Sequence, residues 1–132
     1  MLFAAGFGTR MKHLTQDRPK PLIPVAGKPL IDHTLDRLAE AGVARAVVNV
    51  HYLADALEAH LKERADLAVD ISDEREMLLE TGGGMIKAQD KLPDPFFCLN
   101  SDNIWLDGPR NAFAELSARW DDSAMDALLL VV

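Results

Sequence analysis

The chain has 132 residues, of which 48% are hydrophobic and 27% charged, as expected for one soluble globular domain. This composition argues against disorder, no apolar run is long enough to span a bilayer, and no signal peptide is recognisable, so we expect a cytoplasmic protein. The net charge of −7 argues against a nucleic-acid partner. The single cysteine, Cys98, cannot form an internal disulfide and is predicted to be a small buried hydrophobic residue.

Positive charge is concentrated near the N-terminus. Residues 1–28 contain five basic side chains and one acidic one, whereas the remainder contains nine basic and 20 acidic residues. A positive segment on an acidic protein suggests a local anionic ligand such as phosphate. A solvated basic loop explains the same distribution equally well.

The apolar pattern alternates between the periods of strands and helices. It predicts strands at 1–5, 46–50, 67–71, 96–99 and 127–132. After a long loop over 6–28, it predicts helices opened by Pro29 and Pro109 and two more at 53–61 and 85–91, with Gly42 ending the first. Strands separated by such helices imply a mostly parallel, three-layer α/β/α sheet. Because domains rarely end on a buried strand, the chain is expected to be part of a longer protein, truncated at its C-terminus.

A glycine-rich turn directly follows the first strand, in the sequence of residues 4–11. Gly6 and Gly8 would let backbone N–H groups approach phosphate oxygens, and Arg10 could clamp phosphates with two hydrogen bonds. The segment is not a Walker A loop. It is not the dinucleotide fingerprint either, because the third glycine would fall at Met11.

A second segment holds Lys20 between Pro19 and Pro21. Flanking prolines stiffen an extended backbone, which would aim the ammonium group at a phosphate. A merely solvated lysine is the alternative for this segment taken alone.

Together the two segments, Gly-x-Gly-Thr-Arg-Met and Arg-Pro-Lys-Pro-Leu-Ile-Pro-Val, followed by Gly-Lys-Pro-Leu, resemble the signature of the sugar-1-phosphate nucleotidyltransferases. The resemblance implies a Rossmann-like domain in which the glycine loop holds the nucleotide and the arginine and lysine contact its phosphates. The nucleotide-binding residues that it implies here are Ala4, Ala5, Gly6, Gly8, Thr9, Arg10 and Lys20.

A third segment, Leu-Glu-Thr-Gly-Gly-Gly at residues 79–84, could be a flexible turn before a helix. The string is similar to that of the N-acetylmuramate 1-phosphate uridylyltransferase branch of the family. On that resemblance, Gly83 is the candidate for a backbone contact to uracil, with Glu80 and Thr81 nearby.

Polar residues lie at the carboxyl ends of two predicted strands. Asp102 follows the fourth strand, where its carboxylate could hold Mg²⁺ beside the phosphate loop, although a turn-forming aspartate is the alternative. In the family the matching aspartate binds the catalytic metal, and Ser101 stands where glycine is frequent. Asn49 could line the nucleotide pocket or form a turn.

The resemblance implies in-line transfer of a nucleoside monophosphate, UMP from UTP, to a sugar 1-phosphate with release of pyrophosphate. N-acetylmuramic acid 1-phosphate is the expected acceptor, in peptidoglycan recycling. Arg10, Lys20 and Asp102 are the predicted catalytic residues, with Mg²⁺ as cofactor. Because the family takes its second metal-binding aspartate and most of its sugar pocket from the C-terminal half, residues 1–132 are expected to bind nucleotide but to turn over poorly.

Other functions stay open at this point. Within the family, the alternatives are GTP with mannose 1-phosphate, dTTP or UTP with glucose 1-phosphate, and CTP with a phosphorylated alcohol. A non-catalytic nucleotide-sensing domain would keep the same pocket. An NAD-binding module is disfavoured by the glycine spacing, and the oligomeric state is not predictable.

Overall fold

The computed structural model describes residues 1–131. Its strands, in chain order, are β1 Leu2–Phe3, β2 Pro24–Val25, β3 Lys28–Pro29, β4 Arg45–Val50, β5 Ala68–Asp73 and β6 Leu99–Asn100. Strands β5, β4, β1 and β6 lie side by side in that order in a wholly parallel sheet. Strands β2 and β3 form a small antiparallel pair at the end of the long loop predicted over 6–28, and β3 extends past that loop to Pro29, the residue before the first helix.

Helices connect the strands of the sheet. They are α1 Leu30–Glu40, α2 Ala54–Lys62, α3 Glu80–Ala88 and α4 Ala112–Arg119, with short 3₁₀ segments at Thr9–Thr15, Lys20–Leu22 and Gln89–Lys91. Among residues 1–131, no helix combines the length and apolar character that crossing a bilayer requires.

The sheet is covered on both faces, which confirms the predicted three-layer α/β fold. On one face, Leu35 of α1, Leu57 of α2 and Phe113 of α4 share a buried cluster with the sheet residues Leu2 and Val48. On the other face, a smaller cluster joins the sheet to α3 and the segment after it. Its members are Met1, Phe3, Val47, Met85, Ala88 and Leu92.

The path of the chain defines one special position in the sheet. From β1 the chain moves outward to β4 and then β5, and it returns to place β6 on the opposite side of β1. In open α/β sheets, ligands bind beyond the carboxyl ends of the strands where the winding direction reverses. The fold therefore places a ligand crevice between the loops that follow β1 and β6.

Two predictions made from apolar runs of the sequence are wrong. Residues 127–131 form no strand, and Leu129 and Val131 are largely exposed, because no strand of the described chain offers them a ladder of backbone hydrogen bonds. Residue 132, the end of that predicted strand, lies outside the described residues. Cys98 is exposed rather than buried, since no further strand of the described chain pairs with β6, although partial burial of its sulfur raises the pKa of the thiol.

Two helix starts also differ from the prediction. Helix α3 begins at Glu80 rather than Met85, so the three glycines lie inside the helix and not before it. Helix α4 begins after Asn111, whose side chain accepts a hydrogen bond from the Ala114 backbone N–H at 3.1 Å. Asparagine is a favourable N-cap, and this cap rather than Pro109 sets the start.

Candidate functional site

The glycine loop leaves β1 at the carboxyl end of the sheet. Gly8 has φ +66°, and a Cβ atom built on it would lie 2.9 Å from Thr15 Cγ2 and 3.0 Å from Lys20 Cβ. A side chain at this position would meet both a left-handed backbone penalty and a steric clash. The absence of a side chain at Gly8 therefore lets the glycine loop pack directly against the lysine segment.

The outer face of the same loop is open. A Cβ on Gly6 would meet nothing within 4 Å, and Thr9 and Arg10 are exposed. Among residues 1–131, no acidic side chain forms an ion pair with Arg10. Among the described residues, no hydrogen bond or ion pair links Arg10 to Asp102, and the exposed guanidinium group is available to an anion that enters the crevice.

Lys20 and Asp102, which are 82 residues apart in the sequence, meet at the mouth of the crevice. The Lys20 Nζ forms an ion pair with Asp102 Oδ2, and the side chains are 25% and 34% exposed. Asp102 is held two residues beyond β6, where the Ser101 N–H donates to the Phe3 carbonyl at 3.0 Å. Sequence reasoning assigned these two side chains to phosphate and metal, and the fold places them side by side.

The third predicted segment lies at the start of α3. Glu80 and Thr81 are exposed and Gly83 is half-buried, while Gly84 is buried against the ends of β4 and β5. A Cβ on Gly84 would lie 2.9 Å from Glu74 Oε1 and 3.2 Å from Asn49 Nδ2. The start of α3 thus packs onto the same edge of the sheet as the glycine loop.

Glu74 is a site residue that sequence reasoning missed. Its side chain is wholly buried and accepts hydrogen bonds from Asn49 Nδ2 at 2.9 Å and from the Leu79 backbone N–H at 3.1 Å. Asn49 Oδ1 in turn accepts from the Ala4 N–H at 2.7 Å. Asn49 therefore neither faces a ligand directly nor forms a turn. No local signal marks Glu74, because residues 73–76 are all charged and suggest a solvated loop.

Comparison with known proteins supplies the family. The family model for nucleotidyl transferases matches residues 1–132. The chain belongs to the nucleotidyl transferase family. The two glycine segments and the Lys20–Asp102 pair described above all lie within the matched residues.

Individual relatives agree with this family. The chain is 52% identical to the N-acetylmuramate alpha-1-phosphate uridylyltransferase of Caulobacter vibrioides, over 99% of this chain and 56% of that protein. It is 38% identical to the catalytic subunit beta of mannose-1-phosphate guanylyltransferase from Xenopus tropicalis, over 79% of this chain and 30% of that protein. The chain thus spans about half or less of the length of these relatives.

A solved structure supports the fold as well. The structure of HddC from Yersinia pseudotuberculosis, complexed with GMP-PN, superposes with a TM-score of 0.64 at 31% sequence identity. The match covers 76% of this chain and 46% of HddC.

The carboxylates of this nucleotidyl transferase domain do not form a complete metal cage. Within the described part of the chain, no group of three histidine, cysteine or acidic side chains is placed to hold a metal ion. Asp102 is a single, partly exposed carboxylate at the mouth of the crevice. Mg²⁺ typically binds proteins through one or two carboxylates together with substrate phosphates. Asp102 therefore fits a magnesium ion that arrives with a nucleotide.

Proposed function

We propose that residues 1–132 are the N-terminal, nucleotide-binding part of an enzyme that transfers UMP from UTP to a sugar 1-phosphate, with release of pyrophosphate. The observation that carries this proposal is the meeting of Lys20 and Asp102 at the switch point of the sheet, beside an open glycine loop. A cation for phosphate and a carboxylate for metal are the two groups that phosphoryl transfer needs close together.

Each side chain has a distinct role in this proposal. The backbone N–H groups of the glycine loop would cradle the phosphates. Arg10 and Lys20 would offset the negative charge that grows on the departing pyrophosphate. No nucleophilic side chain is required, because the sugar phosphate oxygen attacks the α-phosphorus directly.

Asp102 would hold Mg²⁺. When bound, this ion would neutralise phosphate charge and orient the reacting phosphates. Because Lys20 is paired with Asp102 in the structure, nucleotide and metal together would have to separate the two side chains. Lys20 would then turn to phosphate as Asp102 turns to the ion, which couples metal binding to nucleotide binding.

The acceptor proposed is N-acetylmuramic acid 1-phosphate. The support is the 52% identity to the Caulobacter vibrioides enzyme and the Leu-Glu-Thr-Gly-Gly-Gly string at the start of α3. A role in peptidoglycan recycling and a cytoplasmic location follow from the same proposal.

A second candidate is transfer of GMP from GTP. The mannose-1-phosphate guanylyltransferases among the relatives and the nucleotide complex of HddC favour it. The two candidates differ in the base that the site selects, so nucleotide preference separates them.

A thermal-shift panel with Mg²⁺ and UTP, dTTP, GTP, CTP or NAD tests the proposal on this chain. A ligand of the native state at a hundred times its Kd stabilises by about 2.7 kcal/mol, so UTP should raise the melting temperature by several degrees. A larger shift with GTP would favour the second candidate. A response to NAD alone would contradict the proposed function, and so would the absence of a response to any nucleotide.

Two variants separate the roles of the ion pair. Lys20→Ala should weaken UTP binding with and without Mg²⁺, because a phosphate-binding cation is lost in both cases. Asp102→Asn should abolish the gain in affinity that Mg²⁺ provides, because the carboxylate acts through the ion. Without Mg²⁺ this variant should not weaken UTP binding, because Lys20 loses the partner that competes with phosphate. Lys91→Ala and Asp90→Asn are matched controls, since both residues lie with Met1 and Arg45 around a cavity at the amino ends of the strands. A Mg²⁺ effect that survives in Asp102→Asn would refute the metal role.

A further inference from the structure

The Glu74 carboxyl group has no part in the reaction proposed above, yet it is completely buried. Among residues 1–131, no lysine or arginine forms an ion pair with it, although the neighbouring Arg75 pairs with three other acids. Burying a carboxyl group without a basic partner is costly unless hydrogen bonds satisfy it. The burial of Glu74 and the hydrogen bonds that satisfy it therefore require an explanation.

Those hydrogen bonds join three separate parts of the chain. Glu74 Oε2 accepts from the N–H of Leu79, the residue that caps α3. Glu74 Oε1 accepts from the Asn49 amide, whose oxygen accepts from the Ala4 N–H at the root of the glycine loop. Both predicted nucleotide-binding segments are thus tied to one buried pair of side chains.

The pair is itself firmly placed. The Glu74 backbone N–H donates to the Val50 carbonyl at 2.8 Å, and a 2.6 Å hydrogen bond links the Glu74 carbonyl to His51 Nδ1. Gly84 of α3 packs so closely that a Cβ there would lie 2.9 Å from Glu74 Oε1. Buried and fully satisfied polar networks of this kind fix a single arrangement of the backbone around them.

We propose that Glu74, acting through Asn49, is a positioning residue that sets the separation between the glycine loop and the start of α3, and thereby the affinity for the nucleotide. The inference rests on the proposed function, since it assumes that both segments contact the same nucleotide. Glu74 touches no reacting group, so its effect is on binding geometry and not on the chemical step.

The polarity of the hydrogen bonds provides a sharp test. In Glu74→Gln, one amide group must face two donors, so its NH₂ opposes either Asn49 Nδ2 or the Leu79 N–H. In Asn49→Asp, a carboxylate oxygen faces Glu74 Oε1, and two acceptors oppose each other. The double variant restores every bond and reverses only the one between the two side chains: the Gln amide donates to the Asp carboxylate and accepts from the Leu79 N–H, while the Asp carboxylate still accepts from the Ala4 N–H.

The experiment is a double-mutant cycle on the whole chain, with Kd for UTP measured by calorimetry in Mg²⁺. Each single variant should weaken UTP binding about tenfold or more, because a buried polar group loses its partner. The double variant should return to within about threefold of the wild-type Kd, since the coupled pair is restored. Glu76→Gln is the matched control: the same chemical change on an exposed residue of the same loop should leave Kd unchanged.

Several results would overturn the inference. A purely structural role predicts that Glu74→Gln lowers the melting temperature but binds UTP with the wild-type Kd. A double variant as weak as the weaker single variant would show that hydrogen-bond polarity is not the cause. Should a single variant not fold, the double variant must fold and bind UTP, and failure to do so counts against the proposal.

Failure of the proposed function gives a different pattern. If the wild-type chain binds no nucleotide, that function is wrong, but the link between the two segments is still testable by hydrogen exchange. The Ala4 and Leu79 amides should then exchange faster in Glu74→Gln than in wild type and slow again in the double variant. Equal exchange at these two amides in all variants would refute the positioning role by itself.

Discussion

The two glycine-rich segments of this domain both use glycine for close packing, but only the first also needs it for its backbone conformation. In the first, residues 6–8, Gly8 supplies both a left-handed backbone (φ +66°) and close packing against Lys20. In the second, residues 82–84, the glycines lie inside α3 with ordinary φ values. There the left-handed conformation falls on a non-glycine residue, Glu80, with φ +57°.

This difference shows that a run of glycines does not reveal which glycine is required. In the first segment, Gly8 is held by Thr15 and Lys20. In the second, Gly84 is held by Glu74 and Asn49, and a Cβ on Gly83 would lie 3.0 Å from Leu79 Cβ. Other members of each segment, Gly6 and Gly82, would carry a Cβ into open space. Each segment therefore contains both a sensitive position and its own control.

The largest effect is expected at Gly8. Gly8→Ala should lower the free energy of unfolding by about 3 kcal/mol, since a left-handed alanine costs ~1–2 kcal/mol and overpacking adds a similar amount. Urea denaturation measures this directly. Gly6→Ala should change stability by less than about 0.5 kcal/mol. If Gly6→Ala nevertheless weakens UTP binding, the open face of the loop is where phosphate approaches; equal stability losses in the two variants would contradict the assignment.

Gly84→Ala should have a smaller effect, a loss of about 1–2 kcal/mol, because the clash with Glu74 Oε1 is partly offset by the ~1 kcal/mol that alanine gains over glycine in a helix. Gly82→Ala receives that helix gain without the clash and should stabilise the domain. The same denaturation experiment compares the two variants. Stabilisation of similar size in both would mean that α3 can move away from Glu74.

The alternation of apolar periods was sufficient to predict the layers and the parallel sheet, because buried strands and amphipathic helices carry strong local patterns. It failed where the outcome depends on distant partners. The apolar run at 127–131 has the composition of a strand, but a strand forms only where another strand pairs with it. Cys98 is apolar in sequence context but exposed, because burial at an edge depends on what covers that edge.

The candidate site shows the same division between features that local sequence patterns reveal and features that depend on distant contacts. Gly8 and Lys20 stand out in the sequence because glycine and flanking prolines impose backbone geometry that needs a reason, and their part in nucleotide binding stays a prediction. The meeting of Lys20 with Asp102 followed only from the order of strands, and Glu74 was not predictable at all. The position of Glu74 in a charged stretch suggests that its side chain is exposed to solvent. Only the register of β4 against β5, which pairs Val50 with Asp73, brings Glu74 beside Asn49.

The smallest expected effect tests the strained residue of the second segment. Glu80→Gly should stabilise the domain by about 0.5 kcal/mol, because relief of a left-handed backbone cost of ~1–2 kcal/mol exceeds the entropy that glycine loses on folding. Glu80→Ala is the control, since it removes the same carboxylate but keeps the unfavourable φ, so it should give no gain. Strained backbone is retained most often at functional sites, so a more stable Glu80→Gly that binds UTP less tightly would place this residue in the nucleotide site. A variant that gains stability and keeps its Kd would mean that the conformation of Glu80 serves the turn into α3 alone.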